Sequence, residues 1–173
     1  FDWDGTLFDS IGRICQAMLK AGQLAGVSDR REEDIKEIIG LGLKEALAHV
    51  WPEESESVRE AISDHYKREY VALDQTAPNA YQGVMPTLLH LQQSGRKLAV
   101  ATGKTRRGLE RVLDTTGTRS MFVSSRCADE TRSKPDPLML YELLDELKVN
   151  PEEAIMVGDT EYDLAMAANA GIR

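Results

Sequence analysis

The pattern of apolar residues changes near residue 80, and this change constrains the fold more than any other feature of the chain. Residues 11–77 carry apolar side chains almost wholly at helical spacing, with one break at Gly40-Leu41-Gly42. After residue 80, short apolar runs alternate with longer amphipathic stretches. Strands that alternate with helices in this way are typical of right-handed βαβ units and of a parallel sheet. The sequence therefore predicts an α/β fold in which a helical segment follows the first strand.

The alternating part of the chain predicts a Rossmann-like core built around a parallel sheet. Its predicted strands are 97–101, 121–124 and 154–157, and its predicted helices are 84–93, 105–116, 135–148 and 160–170. The helical part predicts a helix over 11–25 behind Ser10 as N-cap, a helix that reaches Ile39 behind a capping box of Asp29 and Glu32, and a helix over 53–77. We assign residues 1–10 and 81–173 to the core, and residues 11–80 to an all-helical cap.

Charge and composition argue against several classes of function. The chain has 21 Lys and Arg residues against 29 Asp and Glu residues, a formal net charge of −8, whereas nucleic-acid binding needs a basic surface. Its two cysteines lack metal-ligand spacing, and no apolar run reaches the ~18 residues of a membrane span. We expect a soluble, cytoplasmic protein without nucleic-acid or membrane partners. Because the chain opens at Phe1 and stops soon after Gly171, we also expect a longer native chain.

The strongest motif lies at the start of the chain, where the run F-D-W-D-G-T-L places two carboxylates two residues apart. If Asp2 ends a strand, Asp2 and Asp4 begin on the same side, because side chains alternate along a strand. Ligand sites in open parallel sheets lie beyond the carboxyl ends of the strands, and Gly5 allows a sharp turn there. Paired carboxylates repel each other unless a cation or a shared proton relieves them. The alternative interpretation is a solvated acidic turn.

Two further candidate groups follow predicted strands. Thr102 and Gly103 stand at a strand-to-helix junction, where a hydroxyl and free backbone amides suit a phosphate oxygen. Lys134 precedes Pro135, which favours an extended backbone at the lysine just before a helix, and its ammonium could offset charge on a phosphoryl group. Taken alone, the first pattern is also typical of an ordinary N-cap region and the second of a surface lysine.

A fourth motif follows the predicted strand 154–157. Asp159 stands at the end of that strand, where it can offer a carboxylate to Mg²⁺. Asp163 lies four residues later on the same helix face and can orient a ligand or Lys134. An acidic helix N-cap is the alternative interpretation of this pair. Because all four motifs lie at carboxyl ends of strands, we predict that they converge on one crevice.

This ordered set of motifs resembles the haloacid dehalogenase superfamily of aspartate-nucleophile phosphotransferases. The superfamily pattern is D-x-D-G-T-L, then a Thr, then Lys-Pro, then G-D-x-x-x-D, and the resemblance covers essentially the whole chain. The helical segment after the first motif looks like a type-one cap of the phosphoglycolate phosphatase-like branch. Within it, Gly40, Leu41 and Gly42 resemble the glycine-containing loop that such caps lower over the substrate.

The resemblance implies a role for each matched residue. The implied catalytic residues are Asp2 as nucleophile and Asp4 as general acid/base, and the implied phosphate-binding residues are Thr102, Gly103 and Lys134. The implied Mg²⁺ ligands are Asp2, the main-chain carbonyl of Asp4, and Asp159, with Asp163 in a supporting acidic role. The chain departs from the usual pattern at Trp3, where an aliphatic residue or Phe is more common, and at Gly103, where Asn is frequent.

These observations predict a Mg²⁺-dependent phosphatase that hydrolyses a small phosphorylated metabolite, such as 2-phosphoglycolate, through an aspartyl-phosphate. Asp4 favours phosphate chemistry over dehalogenation, because a halide leaves without a proton. The same nucleophile also allows a sugar-phosphate mutase or a pyrophosphatase, and a non-catalytic interaction module is a further alternative. The basic cluster of Lys104, Arg106 and Arg107 is interpreted as a solvated helix face, with attraction of an anionic substrate as the alternative.

Overall fold

The computed structural model describes residues 1–27, 29–73 and 77–173. Its helices and strands in chain order are β1 Phe8–Asp9, α1 Ile11–Leu24, α2 Glu32–Lys36, α3 Leu43–Val50, α4 Glu56–Leu73, β2 Asn79–Ala80, α5 Val84–Gln93, β3 Ala99–Thr102, α6 Arg106–Thr116, β4 Ser124–Cys127, α7 Leu138–Leu147 and α8 Glu161–Asn169. Single 3₁₀ turns occupy Arg119–Met121 and Pro151–Glu153. Four helices thus lie between β1 and β2, and strands alternate with helices from α5 to α7.

The core is built around the parallel pair β3 and β4, in which Ala99 lies opposite Ser124 and Thr102 opposite Cys127. Three backbone hydrogen bonds continue this pair sideways. They join Ala101 N to Phe1 O at 2.9 Å, Asp2 N to Val157 O at 2.9 Å, and Met156 N to Arg173 O at 2.8 Å. The amino-terminal segment therefore lies between β3 and the 156–157 segment, so its aspartates emerge at the centre of the core. The predicted Rossmann-like α/β class is confirmed.

All three strand predictions differ from the structure, and the predicted strand 97–101 corresponds to β3, which starts two residues later. The predicted strand 121–124 is wrong by three residues, because Met121 ends a 3₁₀ turn and β4 begins at Ser124. Residues 154–157 form no regular strand, although two of their backbone groups make the sheet-like hydrogen bonds described above. A segment with so few ladder bonds does not satisfy the pattern of a full strand.

The helices between β1 and β2 pack around a separate apolar cluster. Helix α1 makes its broadest contact with α4 and a smaller one with α2. The fully buried side chains of this cluster include Met18, Ile35, Leu47, Trp51 and Ile62. At the base of these helices, β1 and β2 form an antiparallel ladder of two residue pairs, where the chain leaves the core and returns to it. The boundaries 1–10, 11–80 and 81–173 remain predictions.

Most predicted helices are present, and their ends follow local capping chemistry. Helix α5 has the predicted bounds, and α6 ends at Gly117, whose positive φ of 66° is typical of a helix C-terminus. The predicted capping box of Asp29 and Glu32 is wrong, because the Arg31 N–H donates to Asp34 and α2 ends at Lys36. The predicted helix over 53–77 corresponds to α4, and residues 74–76 lie outside the described residues. Within the described chain, no helix has both the length and the apolarity needed to cross a bilayer.

Candidate active site

Asp2 lies at the end of the central amino-terminal segment and is almost completely buried. Its Oδ1 is 2.7 Å from the Nζ of Lys134, and neither of its carboxylate oxygens has a well-directed hydrogen bond. Burial raises the pKa of Asp2 to about 6, with smaller raising contributions from Asp163 and Asp4, while Lys134 acts in the opposite direction. Asp2 is thus a buried carboxylate with capacity for a further positively charged or electrophilic partner.

Lys134 is held between two carboxylates. Its Nζ lies 2.7 Å from Asp2 Oδ1 and 2.6 Å from Asp163 Oδ1, and all three side chains are buried. Burial lowers the pKa of Lys134, but the two carboxylates more than offset this and hold it above its usual value. One buried ammonium therefore faces two buried carboxylates, and the group carries excess negative charge.

Asp163 is fixed by the first turn of α8 as well as by Lys134. The Thr160 N–H and hydroxyl donate to Asp163 Oδ2 at 3.2 and 2.7 Å. This reciprocal capping box leaves Oδ1 for the lysine. Asp163 therefore caps α8 through Oδ2 and contacts Lys134 through Oδ1, so both interpretations of this residue fit the geometry.

Asp2, Asp159 and Asp163 form an acidic cluster, in which one carboxylate oxygen of each lies within 4.8 Å of the others. Asp159 is exposed and accepts a hydrogen bond from the Thr6 hydroxyl at 2.5 Å. Gly5 has a φ of +81°, and a Cβ at this position would lie 2.2 Å from Asp159 Oδ2. Only glycine at this turn lets the Asp159 carboxylate approach the amino-terminal loop so closely.

Asp4 has a different set of partners from Asp2. Its Oδ1 is 2.9 Å from Lys104 Nζ and accepts a hydrogen bond from the Ser10 hydroxyl. Ser10 occupies the N-cap position of α1, as predicted, but makes no side-chain cap hydrogen bond. The Asp4 carboxylate does not belong to the acidic cluster, so it is available for a separate task.

Lys104 does not lie on a solvated helix face, so that interpretation is wrong for this residue. Its side chain is 9% exposed, and its Nζ stands over the ring of Tyr70 at 5.2 Å from the centroid. Burial lowers its pKa, but Asp4 and the two tyrosines Tyr70 and Tyr66 more than offset this, so the pKa lies above its usual value. Lys104 directly follows the Thr102-Gly103 motif, and this adjacency is the sequence signal that could have placed it in the site.

Thr102 and Gly103 lie beside this ion pair, at the end of β3. The buried Thr102 hydroxyl accepts a hydrogen bond from the Lys104 N–H at 3.2 Å. A Cβ at residue 103 would lie 2.4 Å from the carbonyl oxygen of Leu41 and 2.7 Å from that of Gly40. Because residue 103 is glycine and not the frequent Asn, the backbone of Gly40 and Leu41 can lie directly against the core at this point.

The loop Gly40-Leu41-Gly42 contacts three core loops. Besides its contact at Gly103, the Gly42 N–H donates to Ser133 Oγ at 2.7 Å, next to Lys134. Gly40 has a φ of +106°, and a Cβ there would lie 3.0 Å from Thr160 Oγ1. These contacts, at Gly103, Ser133 and Thr160, place the predicted cap loop over the strand ends, in a closed arrangement.

A cavity of about 730 Å³ lies between the helical segment and the core. Asp2 and Asp4 line its inner end, together with Gly103 and Lys104. The predicted residues Thr102, Lys134, Asp159 and Asp163 surround the aspartates without lining the cavity. The structure therefore brings the four sequence motifs together, and adds Lys104, Ser10 and Tyr70, which sequence reasoning did not place in the site.

Comparisons with known proteins show the family of this chain. The family model described as "Haloacid dehalogenase-like hydrolase" matches residues 1–173. A phosphoglycolate phosphatase of Vibrio cholerae is 30% identical, with 99% of this chain and 79% of that protein aligned. The pyrophosphatase PpaX of Bacillus cereus is 28% identical over 100% of this chain and 79% of its own length.

Solved structures show the same fold. A putative haloacid dehalogenase-like hydrolase from Bacteroides fragilis superposes with a TM-score of 0.91 at 27% identity, over 99% of this chain and 82% of that one. CbbY from Rhodobacter sphaeroides, in complex with xylulose-(1,5)bisphosphate, superposes with a TM-score of 0.85 at 25% identity, over 100% of this chain and 82% of that one.

Proposed function

The chain belongs to the haloacid dehalogenase-like hydrolases, and on this premise we propose that it is a Mg²⁺-dependent phosphatase of a small phosphorylated metabolite that uses Asp2 as nucleophile. The observation that carries the proposal is the position of Asp2, a buried carboxylate without a well-directed hydrogen bond at the inner end of a large cavity. A phosphatase of this kind is consistent with the phosphoglycolate phosphatases among its relatives. A cytoplasmic location is part of the proposal.

The acidic cluster fits a magnesium ion. Mg²⁺ is bound by oxygen ligands, commonly one or two carboxylates together with substrate phosphate and water. Asp2 and Asp159 supply two carboxylates, and the excess negative charge around Lys134 leaves their repulsion only partly relieved. We assign the ion to Asp2, Asp159 and the main-chain carbonyl of Asp4, with Asp163 supporting through Lys134. When bound, Mg²⁺ supplies positive charge that offsets the charge of the phosphoryl oxygens.

The proposed first step is attack of an Asp2 carboxylate oxygen on phosphorus. The P–O bond to the leaving group breaks, an aspartyl-phosphate forms, and Asp4 donates a proton to the departing alkoxide. Lys134, Thr102 and the backbone at Gly103 bind the phosphoryl oxygens, and Lys134 also orients Asp2.

The proposed second step is hydrolysis of the aspartyl-phosphate. Asp4 now accepts a proton from a water molecule, which attacks phosphorus and releases inorganic phosphate and free Asp2. The Lys104 ammonium, 2.9 Å from Asp4, positions the Asp4 carboxylate for this step. The two aspartates therefore have separate tasks, in keeping with their separate partners.

The experiment that tests this function is phosphate release from a panel of phosphomonoesters. We expect release that depends on Mg²⁺ and is lost in excess EDTA. Asp2→Asn should lose about 10³-fold or more in kcat, and Asp4→Asn about 10²–10⁴-fold. Asp9→Asn, which changes an exposed carboxylate of β1, is the matched control and should retain activity. Wild-type turnover by Asp2→Asn would contradict the nucleophile assignment.

A pyrophosphatase is the second candidate, favoured by the similarity to PpaX. The nucleophile and the proton donor act in the same way on an anhydride as on an ester, so the site chemistry does not separate the two. Including inorganic pyrophosphate in the panel separates them directly. A stable phosphoenzyme that transfers its phosphoryl group to a sugar phosphate would indicate a mutase, and absence of any turnover a non-catalytic module.

A further inference from the structure

The cavity between the helical segment and the core is much larger and more apolar than a two-carbon substrate requires. Its volume of about 730 Å³ lies within the ~300–1,000 Å³ range of pockets that hold drug-sized ligands. Beyond Asp2 and Asp4, its walls come largely from apolar side chains of the helical segment, among them Ile14, Met18, Ile38, Ile39, Leu43 and Tyr66. A leaving group as short and polar as glycolate would leave these walls in contact with water.

The cavity also has a basic side. Lys67 and Arg68 from α4 and Arg107 and Arg111 from α6 line it, together with Lys104 near the aspartates. Lys67 and Arg68 already contact Asp64, through its carboxylate and its carbonyl oxygen. Arg107 is exposed and, across the described ranges 1–27, 29–73 and 77–173, forms no ion pair.

Unlike Lys104, Arg107 has no role in the proposed chemistry of the phosphoryl group. Asp2, Lys134 and Thr102 surround the reacting phosphate at the inner end, whereas Arg107 lies on the first turns of α6, which starts at Arg106. An arginine without an ion pair on the wall of a cavity suits a carboxylate or a second phosphate, which it can bind through two parallel N–H groups. The wall therefore combines an apolar surface with a cation for a second anionic group.

From this combination, and resting on the proposed phosphatase function, we propose that the substrate is a phosphomonoester with an extended apolar leaving group that ends in a second anionic group bound by Arg107. Its hydrolysis breaks the P–O ester bond and consumes one water, which provides the oxygen of inorganic phosphate and the proton of the released alcohol. The apolar walls exclude water from the body of the leaving group, and Arg107 fixes its far end.

Three synthetic esters separate length from charge. These are 2-phosphoglycolate, 6-phosphonooxyhexanoate, which has the same two anionic groups on a longer chain, and hexyl phosphate, which lacks the carboxylate. We expect kcat/KM for 6-phosphonooxyhexanoate to exceed that for 2-phosphoglycolate by about tenfold or more, since each methylene buried in an apolar pocket contributes substantially to discrimination. Equal or better use of 2-phosphoglycolate would overturn the proposal.

Arg107→Ala tests the charged end of the substrate. The ratio of kcat/KM for 6-phosphonooxyhexanoate to that for hexyl phosphate should fall about tenfold in this variant. Arg96→Ala removes an exposed arginine that does not line the cavity, and it should leave the ratio unchanged. A ratio that stays constant in Arg107→Ala would overturn the role of the arginine.

Binding to Asp2→Asn separates this proposal from the proposed function. Calorimetry with the same three esters measures the cavity's preference without turnover, and we expect the same order of affinities. If that order is found while the wild-type protein releases no phosphate, the proposed function fails and the ligand preference stands. If the wild-type protein releases phosphate but the three esters bind equally, the ligand preference fails and the proposed function stands.

Discussion

At the scale of single residues, the site is defined by an imbalance of buried charge. Lys134 is shared by Asp2 and Asp163, so one cation serves two carboxylates that are both removed from water. Removing a charge from water is costly unless it is fully paired. The imbalance destabilises the metal-free protein, and it creates the negative field that a divalent cation needs.

The first prediction concerns the free energy of unfolding of Asp2→Asn in EDTA. Burial raises the pKa of folded Asp2 from 3.8 to about 6, so the wild-type protein loses stability as pH rises from 3.8 through about 6. Asn carries no charge, and Lys134 keeps Asp163 as a partner. We expect Asp2→Asn to be more stable than wild type by about 1–3 kcal/mol near neutral pH, with the difference shrinking towards pH 4. Denaturant unfolding measures this, and a less stable variant at neutral pH would contradict the charge imbalance.

The second prediction concerns Lys104, which sequence reasoning did not assign to the site. Lys104→Met keeps the length of the side chain and removes the ammonium beside Asp4. Because Asp4 then loses the ion-pair partner that holds its carboxylate in position, we expect the second step to slow and kcat to fall about 10- to 100-fold. The phosphorylated fraction of the enzyme at steady state should rise.

A rapid-quench assay of bound phosphoryl groups measures that fraction. Lys20→Met changes an exposed lysine on α1 and is the matched control. A Lys104→Met enzyme with wild-type kcat and no increase in phosphoenzyme would show that the ion pair has only a structural role.

At the scale of helices, strands and loops, contact between the helical segment and the core depends on loop 40–42. Its carbonyl oxygens lie directly on Gly103, and the hydroxyl of Tyr162 in α8 donates to the carbonyl of Glu37 at 3.1 Å. Neither contact involves a large apolar surface. Such contacts are suited to a lid that opens for substrate exchange and closes for chemistry.

The third prediction is that Gly103→Asn holds this lid away from the core. A Cβ at residue 103 would collide with the carbonyls of Gly40 and Leu41, which are backbone atoms and cannot rotate away. We expect kcat/KM to fall about tenfold and amide hydrogen exchange of residues 40–42 to rise. Gly95→Asn is the control, because residue 95 has open space around it and Asn tolerates its positive φ. Unchanged exchange in Gly103→Asn would contradict the closed arrangement.

Sequence patterns predicted the helices more accurately than the strands, and this difference has physical causes. Helices α5 and α6 follow a clear apolar period and a glycine stop, so their bounds were readable. Strand β4 contains Ser124, Ser125 and Arg126 and has no apolar alternation, so the prediction fell on the preceding apolar residues. The ladder of β1 and β2 has two residues per strand, which is too short to show any period.

The site residues also divide into those that local motifs predict and those whose partners are distant in the sequence. Asp2, Lys134 and Asp159 were predicted because each lies in a local motif at the end of a predicted strand. The Lys104–Asp4 pair joins residues one hundred positions apart, and no local pattern encodes a partner at that distance. The close approach of Gly103 to the loop 40–42 likewise depends on how the helical segment docks.

At the scale of the whole molecule, the function depends on the convergence of four distant segments. The amino-terminal segment lies between β3 and the 156–157 segment, so the loops that carry Thr102, Lys134 and Asp159 meet around Asp2. The helical segment and the core then form a large, mainly apolar cavity that the two amino-terminal aspartates line. Folding as one unit is therefore a condition for both catalysis and substrate selection.

The proposed mechanism requires that the phosphoryl group is transferred to Asp2 before water attacks its phosphorus. Rapid acid quench during turnover of a phosphomonoester, followed by proteolysis and mass spectrometry, measures where a phosphoryl group resides. We expect one phosphoryl group on the peptide that contains Asp2, absent in Asp2→Asn and more abundant in Lys104→Met. Steady turnover with no phosphorylated Asp2, or with the phosphoryl group on another residue, would contradict it.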